Sequence, residues 1–221
     1  MSYSRHRDAD VVLRDGSTVH VRPVEAEDAD AVQAFFERLS PESIALRFFS
    51  RFPDLDSAVR WATDVDQHRY GLVATSSADR RVVAHAGWER EPDRPGRAEV
   101  AFAIADAMQH NGLGTILLGQ LTQAADQAGV AVLSAEVLPQ NHQMLHVFRD
   151  SGYPVTTHTL PGVILVELAT SRSPATPDGV QPSQVRAADN CPGSAALLVR
   201  LRPFQTPWRP IAPLGTKPTA K

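Results

Sequence analysis

The stretch from residue 98 to residue 129 constrains the fold more than any other part of this sequence. At its start the large apolar residues Val100, Phe102 and Ile104 alternate with alanines. A run that is apolar throughout in this way is typical of a strand covered on both faces. Further along, apolar residues recur at spacings of three and four, which predicts one face of an amphipathic helix. They are Leu113, Ile116, Leu117, Leu121, Ala124, Ala125 and Ala128. The stretch therefore predicts a buried strand that leads directly into a helix.

The loop between this strand and helix carries two glycines, Gly112 and Gly114, in the form Q-x-x-G-x-G. A strand that enters a helix through such a loop directs free backbone N–H groups and the positive end of the helix dipole at one point, which suits a phosphate. The glycines could also serve only to let the chain turn between the strand and the helix. The spacing is neither the G-x-G-x-x-G of dinucleotide sites nor the Lys-Ser/Thr loop of nucleoside triphosphate sites. A ligand that presents its phosphates in another way is the remaining functional interpretation.

The rest of the chain predicts a mixed α/β sheet. A hairpin turn at Asp15-Gly16 joins two short strands, and Asp28 and Ser40 are each followed by a helical pattern that they could cap. The other expected helices are a short one near 57–63 and another at 141–150. Five further strands are expected at 70–75, 81–88, 130–138, 153–159 and 163–168. Helix pairs, a meander, one strand–helix–strand crossover and a final hairpin predict one α/β domain over residues 11–169.

The two ends of the chain differ in character from this domain. Residues 1–10 are polar, and we expect them to be frayed. Nine of the seventeen prolines fall after Thr170, where the sequence offers only one short apolar run, so residues 170–221 are expected to form a disordered tail. Cys191 lies in this tail, so no catalytic thiol is expected in the domain.

Composition excludes several classes of function. The net charge of −3 gives no electrostatic footprint for nucleic acid, and the single cysteine excludes a disulfide framework or a multi-cysteine metal site. No His/Asp/Glu cluster has metal-ligand spacing. No apolar run is long enough to span a membrane, and the start lacks the apolar centre of a secretory signal. A cytoplasmic protein is therefore expected, without metal, membrane or nucleic-acid partners, and nothing indicates its oligomeric state.

Taken together, these motifs resemble the GNAT superfamily of acyl-CoA-dependent N-acetyltransferases. Gln109, Gly112 and Gly114 match the Q/R-x-x-G-x-G/A loop of that family, and Asn141 and Gly152-Tyr153 match its later pattern. The resemblance covers roughly residues 13–168. It implies the GNAT fold, a mostly antiparallel central sheet flanked by helices, with acetyl-CoA as co-substrate.

Within the superfamily the chain is most similar to the acetyltransferase domain of Pat-type protein lysine acetyltransferases. The similarity rests on Val21-Arg22-Pro23, on Glu27-Asp28-Ala29, and on the segment from Phe36 to Phe49. Two features depart from the family pattern. The N-terminus leaves no room for the cyclic-nucleotide-binding domain of some relatives, so regulation by a cyclic nucleotide within this chain is not expected. The proline-rich tail is the second departure.

The resemblance also implies a set of site residues. Glu99 is placed as the general base, although it could instead pair with Arg97 or another arginine at a strand end. Phe102, Ala103 and Ile104 would offer backbone groups to the pantetheine arm, and one of their N–H groups could stabilise the thioester oxygen. The pyrophosphate would be held by Gln109, His110, Asn111, Gly112, Leu113, Gly114 and Thr115. Asn141 would contact the coenzyme, cap the next helix, or do both.

The tyrosine that commonly protonates the leaving thiolate in this family is absent, because Phe148 occupies the matching position. The thiolate could leave unprotonated, since its reference pKa is about 8.5. Tyr153 is interpreted as a core residue rather than a substitute acid, and His85 as a core or edge residue rather than a catalytic group.

The resemblance implies transfer of an acetyl group from acetyl-CoA to an amine. The first hypothesis is a protein lysine acceptor, for example on an acyl-CoA synthetase, with direct transfer and Glu99 as base. Two alternatives stay open: acetylation of a small amine, and a non-catalytic module that senses acyl-CoA.

Overall fold

The computed structural model describes residues 8–171, which build one eight-stranded sheet with helices on both faces. The strands are β1 (Ala9–Val12), β2 (Thr18–Pro23), β3 (Arg69–Ser76), β4 (Val82–Arg90), β5 (Arg97–Ile104), β6 (Val132–Val137), β7 (Val155–Leu160) and β8 (Val163–Ala169). The helices are α1 (Ala29–Glu37), α2 (Pro41–Phe48), α3 (Leu55–Thr63), α4 (Leu113–Gln127) and α5 (His142–Arg149). The predicted order and type of these elements are confirmed.

The sheet has the order β1-β2-β3-β4-β5-β6-β8-β7. All neighbours are antiparallel except β5 and β6, which are parallel because α4 connects them as a crossover. The fold class is thus the mixed, mostly antiparallel sheet expected from the sequence. Its one parallel pair lies in the middle of the sheet, and the glycine loop follows the opposite end of β5.

Two apolar clusters cover the two faces of the sheet. One lies under α4 and α5 and is centred on Leu117, Leu121 and Phe102. The other lies under α1–α3, where Phe35, Phe36 and Val59 pack on β3 and β4. Along β5, Phe102 belongs to the first cluster and Ala103 to the second. Successive residues of β5 therefore face opposite clusters, which is the arrangement predicted for a strand covered on both faces.

Helix caps account for most of the predicted boundaries. The Ser40 hydroxyl accepts from the Ser43 amide at 3.1 Å, and Asp54 accepts from the Ser57 amide at the start of α3. The expected cap at Asp28 is wrong. Its carboxylate binds Arg22 bidentately, at 2.6 and 2.7 Å, and also accepts from the Glu25 amide. A single 3-10 turn before α1 holds Asp28 in this position.

Some boundaries differ by a residue or two from the prediction. Strand β1 begins at Ala9, inside the segment expected to be frayed. Strand β6 begins at Val132 rather than Val130, because the Val130 amide bonds back to Ala125 and closes α4 after the positive-φ Gly129. Thr170 is buried and bonds to Val130 and Ala131. The expected disordered tail from residue 172 onward, including Cys191, lies outside the described residues.

Candidate active site

Strands β5 and β6 diverge and leave a fork in the middle of the sheet. Their pairing covers only residues 97–99 of β5 and 132–134 of β6. Beyond that point β5 continues to Ile104 with only β4 beside it in the described chain, and β6 continues beside β8 alone. The edge of β5 that faces the fork therefore carries backbone N–H and C=O groups that an extended ligand can pair with, like an added strand. Phe102, Ala103 and Ile104 lie on this edge.

Glu99 lies at the vertex of the fork, as the last residue of β5 that pairs with β6. Its carboxylate forms no ion pair or side-chain hydrogen bond within residues 8–171. Burial raises the pKa of Glu99 to about 7, and the nearby carboxylates of Glu136, Glu91 and Glu89 add to the effect, while Arg47 opposes it. A carboxyl group with this pKa exchanges protons readily near neutral pH.

Two of the carboxylates around Glu99, those of Glu89 and Glu91, have partners of their own. Glu89 accepts from the Trp61 indole at 2.6 Å and from Arg69 at 2.8 Å. Arg97, the predicted alternative partner of Glu99, pairs instead with Glu167 and Glu91. The predicted ion pair between Glu99 and Arg97 is therefore wrong, and Arg97 does not occupy the Glu99 carboxylate.

Arg47 is the cation that acts on Glu99. Its guanidinium lies over the rings of Phe48 and Trp61, with 4.8 and 5.4 Å to the ring centroids. Burial lowers the pKa of Arg47 to about 10, and Glu99 acts in the opposite sense. Helix α2 thus places a positive charge near Glu99.

The glycine loop ends directly at α4. Gly112 precedes the helix with φ of +87°, a conformation that favours glycine. None of the hydrogen bonds among residues 8–171 uses a backbone amide of residues 110–115 as donor. The side chain of Leu113 is buried in the core, so this residue can offer only its backbone to a ligand. The loop and the first turn of α4 therefore present free amides at one point.

Gly114 leaves little room for a side chain. A Cβ built on it would lie 3.2 Å from a methyl group of Val147 and 3.4 Å from Ile104 Cδ1. The backbone of α4 consequently lies close to both α5 and the end of β5. The side chain of Thr115, next along the helix, is half-buried.

Gln109 braces the loop instead of extending into it. Its amide nitrogen donates to the carbonyl oxygen of Ile104 and to the hydroxyl of Ser43, both at 3.1 Å. Asp106 completes this brace, because its carboxylate accepts from the Ser40 and Ser43 hydroxyls at 2.6 and 2.7 Å. The sequence analysis missed Asp106 and Ser43. A serine-capped helix followed much later by an acidic turn gives no local signal that the two will meet.

The side chains of His110 and Asn111 bind neighbouring segments. The Gln143 amide lies 2.8 Å from the His110 ring nitrogen, and Asn111 donates to Asp15 at 2.7 Å. These contacts hold the loop between α5 and the β1–β2 turn. Their backbone amides are left for a ligand.

Helix α5 contributes a cap and core packing. The Asn141 side chain accepts from the Met144 amide at 3.1 Å, so the capping role is confirmed and the coenzyme contact stays a prediction. Phe148 is 1% exposed and packs edge-on against Phe102, with centroids 6.3 Å apart. Tyr153 packs partly buried against the same cluster. The residue at the position of the missing tyrosine therefore belongs to the core.

His85 is a core residue, as predicted. It is fully buried on β4, and its Nε2 lies 3.2 Å from the carbonyl oxygen of Ala62. Burial lowers the pKa of His85 to about 3, with Arg47 adding to the effect, so the ring is neutral at physiological pH. Within residues 8–171 no group of three or more His, Cys, Asp or Glu side chains is placed to hold a metal ion. The same part of the chain contains no helix with the length and apolarity needed to cross a membrane.

Comparisons with known proteins agree with this geometry. The family model of the acetyltransferase (GNAT) domain matches residues 18–154. Acetyltransferase Pat of Mycolicibacterium smegmatis is 30% identical over 159 residues, which are 72% of this chain and 47% of that protein. The chain thus spans about half the length of this curated relative.

Solved structures give the same assignment. The GNAT domain of S. lividans PAT superposes with a TM-score of 0.67 at 36% identity, over 76% of this chain and 99% of that domain. A Salmonella typhimurium acetyltransferase, solved with its cofactor acetyl-CoA, shares the fold with a TM-score of 0.57 at 20% identity, over 73% of this chain and 99% of its own. The sequence, the fold and the comparisons agree that this chain belongs to the GNAT acetyltransferase family, where it is similar to the Pat acetyltransferases.

Proposed function

We propose that this protein transfers an acetyl group from acetyl-CoA to a protein lysine side chain, with Glu99 as the general base. The observation that carries the proposal is a carboxyl group with a pKa of about 7 at the vertex of the fork between β5 and β6. The similarity to Pat acetyltransferases supports the choice of a protein acceptor. Pat-like relatives also make a metabolic enzyme such as an acyl-CoA synthetase a reasonable first acceptor to test.

The residues present fit acetyl-CoA in two places. The unpartnered amides at the start of α4 suit its diphosphate. The open edge of β5 suits an extended amide-containing arm. Acetyl-CoA supplies a thioester whose C–S bond breaks as the amine forms the new C–N bond, with the sulfur leaving as a thiolate.

Glu99 would remove the proton that blocks attack. A lysine ammonium has a reference pKa of about 10.4 and is not nucleophilic while protonated. When the lysine enters the partly buried fork, loss of water disfavours its charged form. The pKa of the amine therefore falls toward that of Glu99. Glu99 can then accept the proton directly or through a water molecule. A backbone N–H on the β5 edge would donate to the thioester oxygen as negative charge develops there.

Release of coenzyme A thiol in the presence of an acetylatable acceptor tests the proposal. We expect Glu99→Gln to lower turnover by about 10²–10⁴-fold, in the range of a lost general base, with little change in coenzyme affinity. Glu27→Gln removes an exposed carboxylate at the start of the chain's helical region and serves as the control. Full activity of the Glu99 variant would remove Glu99 from the mechanism.

The acceptor class needs its own experiment. Competition between an acyl-CoA synthetase and small alkylamines, at equal amine concentration, would show which acceptor is used. Labelled acetyl-CoA incubated with a cell lysate would then identify acetylated lysines by mass spectrometry. A preference for small amines would retain the fold and the base but change the substrate.

A non-catalytic acyl-CoA sensor is the second candidate. Phe148 favours it, because the position that often carries a thiolate-protonating tyrosine in this family is part of the core here. Tight binding of acetyl-CoA without transfer to any acceptor would establish this candidate. The cytoplasmic location stays a prediction from the sequence.

A further inference from the structure

Arg14, in the turn between β1 and β2, lies across the glycine loop. A Cβ built on Gly112 would stand 3.4 Å from Arg14 Nε and 3.8 Å from its Cγ and Cδ. The side chain therefore covers the glycine that opens α4. The residue itself is exposed, so its guanidinium is accessible to a ligand in solution.

Two hydrogen bonds fix this turn to the loop. The Arg14 amide donates to the carbonyl oxygen of Asn111 at 3.2 Å, and the Asn111 side chain donates to Asp15 at 2.7 Å. The contact between Arg14 and Gly112 is thus built into the backbone of both segments. Loop and turn are held together although they are far apart in the sequence.

The guanidinium of Arg14 is not used by the described part of the chain. It forms no ion pair or side-chain hydrogen bond with any other residue between 8 and 171. The neighbouring carboxylate of Asp15 accepts instead from Asn111 and from the amide and hydroxyl of Ser17. A cation with no ion-pair partner among residues 8–171 therefore lies beside the free amides of the loop and of the first turn of α4.

We propose that Arg14 binds the diphosphate of the coenzyme, so that the β1–β2 turn forms one wall of the phosphate site. This inference rests on the proposed function. The planar guanidinium carries several donors in a geometry that matches phosphate oxygens, which suits it to share an anion with backbone amides. None of the sequence motifs pointed to Arg14, because the turn that carries it reads only as a hairpin connection.

Isothermal titration calorimetry with coenzyme A, rather than activity, tests the assignment. Arg14→Gln should weaken binding about tenfold at low ionic strength, the lower end of the effect of a hydrogen bond to a charged group, since the site is exposed. Arg14→Lys keeps the charge but not the fork of donors, and should lose about threefold. The difference between wild type and Arg14→Gln should shrink in high salt because exposed charges are screened.

Arg94→Gln is the matched control. Arg94 is exposed in the turn before β5, at the end of that strand remote from the glycine loop. The substitution changes the net charge equally and should leave coenzyme affinity unchanged. An equal loss in both variants would overturn the proposal, since it would reflect net charge alone.

A second ligand distinguishes binding of the diphosphate from binding of the 3′-phosphate of the coenzyme. 3′-Dephospho-coenzyme A keeps the diphosphate, so Arg14→Gln should weaken its binding by the same factor. A loss with coenzyme A but not with the dephospho form would overturn the diphosphate assignment, as would unchanged binding of both. If the wild-type protein bound neither ligand, the proposed function itself would be wrong. If the wild type and Arg14→Gln bound both ligands equally well, only the role of Arg14 would be wrong.

Discussion

Replacing Glu99 by glutamine should stabilise the protein at alkaline pH while it removes the proposed base. Glu99 has a pKa of about 7 in the folded protein against an ordinary value of 4.5. At about 1.36 kcal/mol for each pH unit, this difference corresponds to about 3 kcal/mol as an upper limit. That free energy is the cost of holding the charged carboxylate at the fork, and glutamine of nearly the same shape does not incur it.

The pH dependence has a definite sign. Below about pH 4.5 the carboxyl is protonated in both the folded and the unfolded chain, so Glu99 contributes nothing. As the pH rises from 4.5 toward 7, the folded protein keeps a proton that the unfolded chain has released, and the free energy of unfolding falls. Above pH 7 the full cost is present. The stability difference between Glu99→Gln and wild type should therefore grow with pH and level off above about pH 8.

Urea unfolding between about pH 5 and pH 9 measures this difference. Glu27→Gln, which removes an exposed carboxylate, should show no such trend. In the same range, kcat/KM of the wild type should rise through a pKa near 7, and the Glu99 variant should lack that step. A stability difference independent of pH would show that the Glu99 carboxyl is not held at a raised pKa, and the argument for it as base would lose its physical support.

Three other substitutions test the remaining parts of the site. Gly114→Val should abolish coenzyme binding measured by calorimetry, because the valine side chain would press on Val147 and Ile104. Gly119→Ala, in the same helix but with open space around it, is the control. It should bind coenzyme normally and raise the free energy of unfolding by about 0.5–1 kcal/mol, measured by thermal unfolding. Phe148→Tyr should lower the free energy of unfolding by about 1–3 kcal/mol, because the added hydroxyl would be buried in the core. It should not raise kcat, and a higher kcat would show that this position reaches the thiol. Asp106→Asn should raise the KM for acetyl-CoA more than it changes kcat, since it weakens the brace that holds Gln109; an unchanged KM would count against the brace.

The local parts of this structure could be predicted from the sequence. Ser40 followed by a proline and an acidic residue marks the start of α2, and the alternation around Phe102 marks β5. Gly112 was found because it answers a local need, a positive φ at the entry to α4. Such signals depend on neighbours in the chain, so they survive without knowledge of the fold.

Contacts between distant segments could not be predicted in the same way. Asp28 was expected to cap α1, but the approach of Arg22 gives its carboxylate a stronger partner. Arg97 was a plausible partner for Glu99 until the pairing of β6 with β8 brought Glu167 next to it. The links from Asp106 to Ser43 and from Arg14 to Gly112 also depend on which elements meet in space. Each outcome is decided by competition among charged groups that only the fold brings together.

One strand edge connects the proposed chemistry to the proposed anchor. Glu99 marks the vertex of the fork, and Gln109 binds the carbonyl of Ile104 at the other end of β5. The five residue steps between Glu99 and Ile104 span about 17 Å at the usual rise of a strand. Because β4 pairs with β5 over this whole stretch, the distance between Glu99 and Ile104 cannot change without breaking the sheet. A ligand anchored at the loop and laid along this edge would therefore present its far end to Glu99 at a fixed register, which is the positioning that direct transfer between two bound substrates requires.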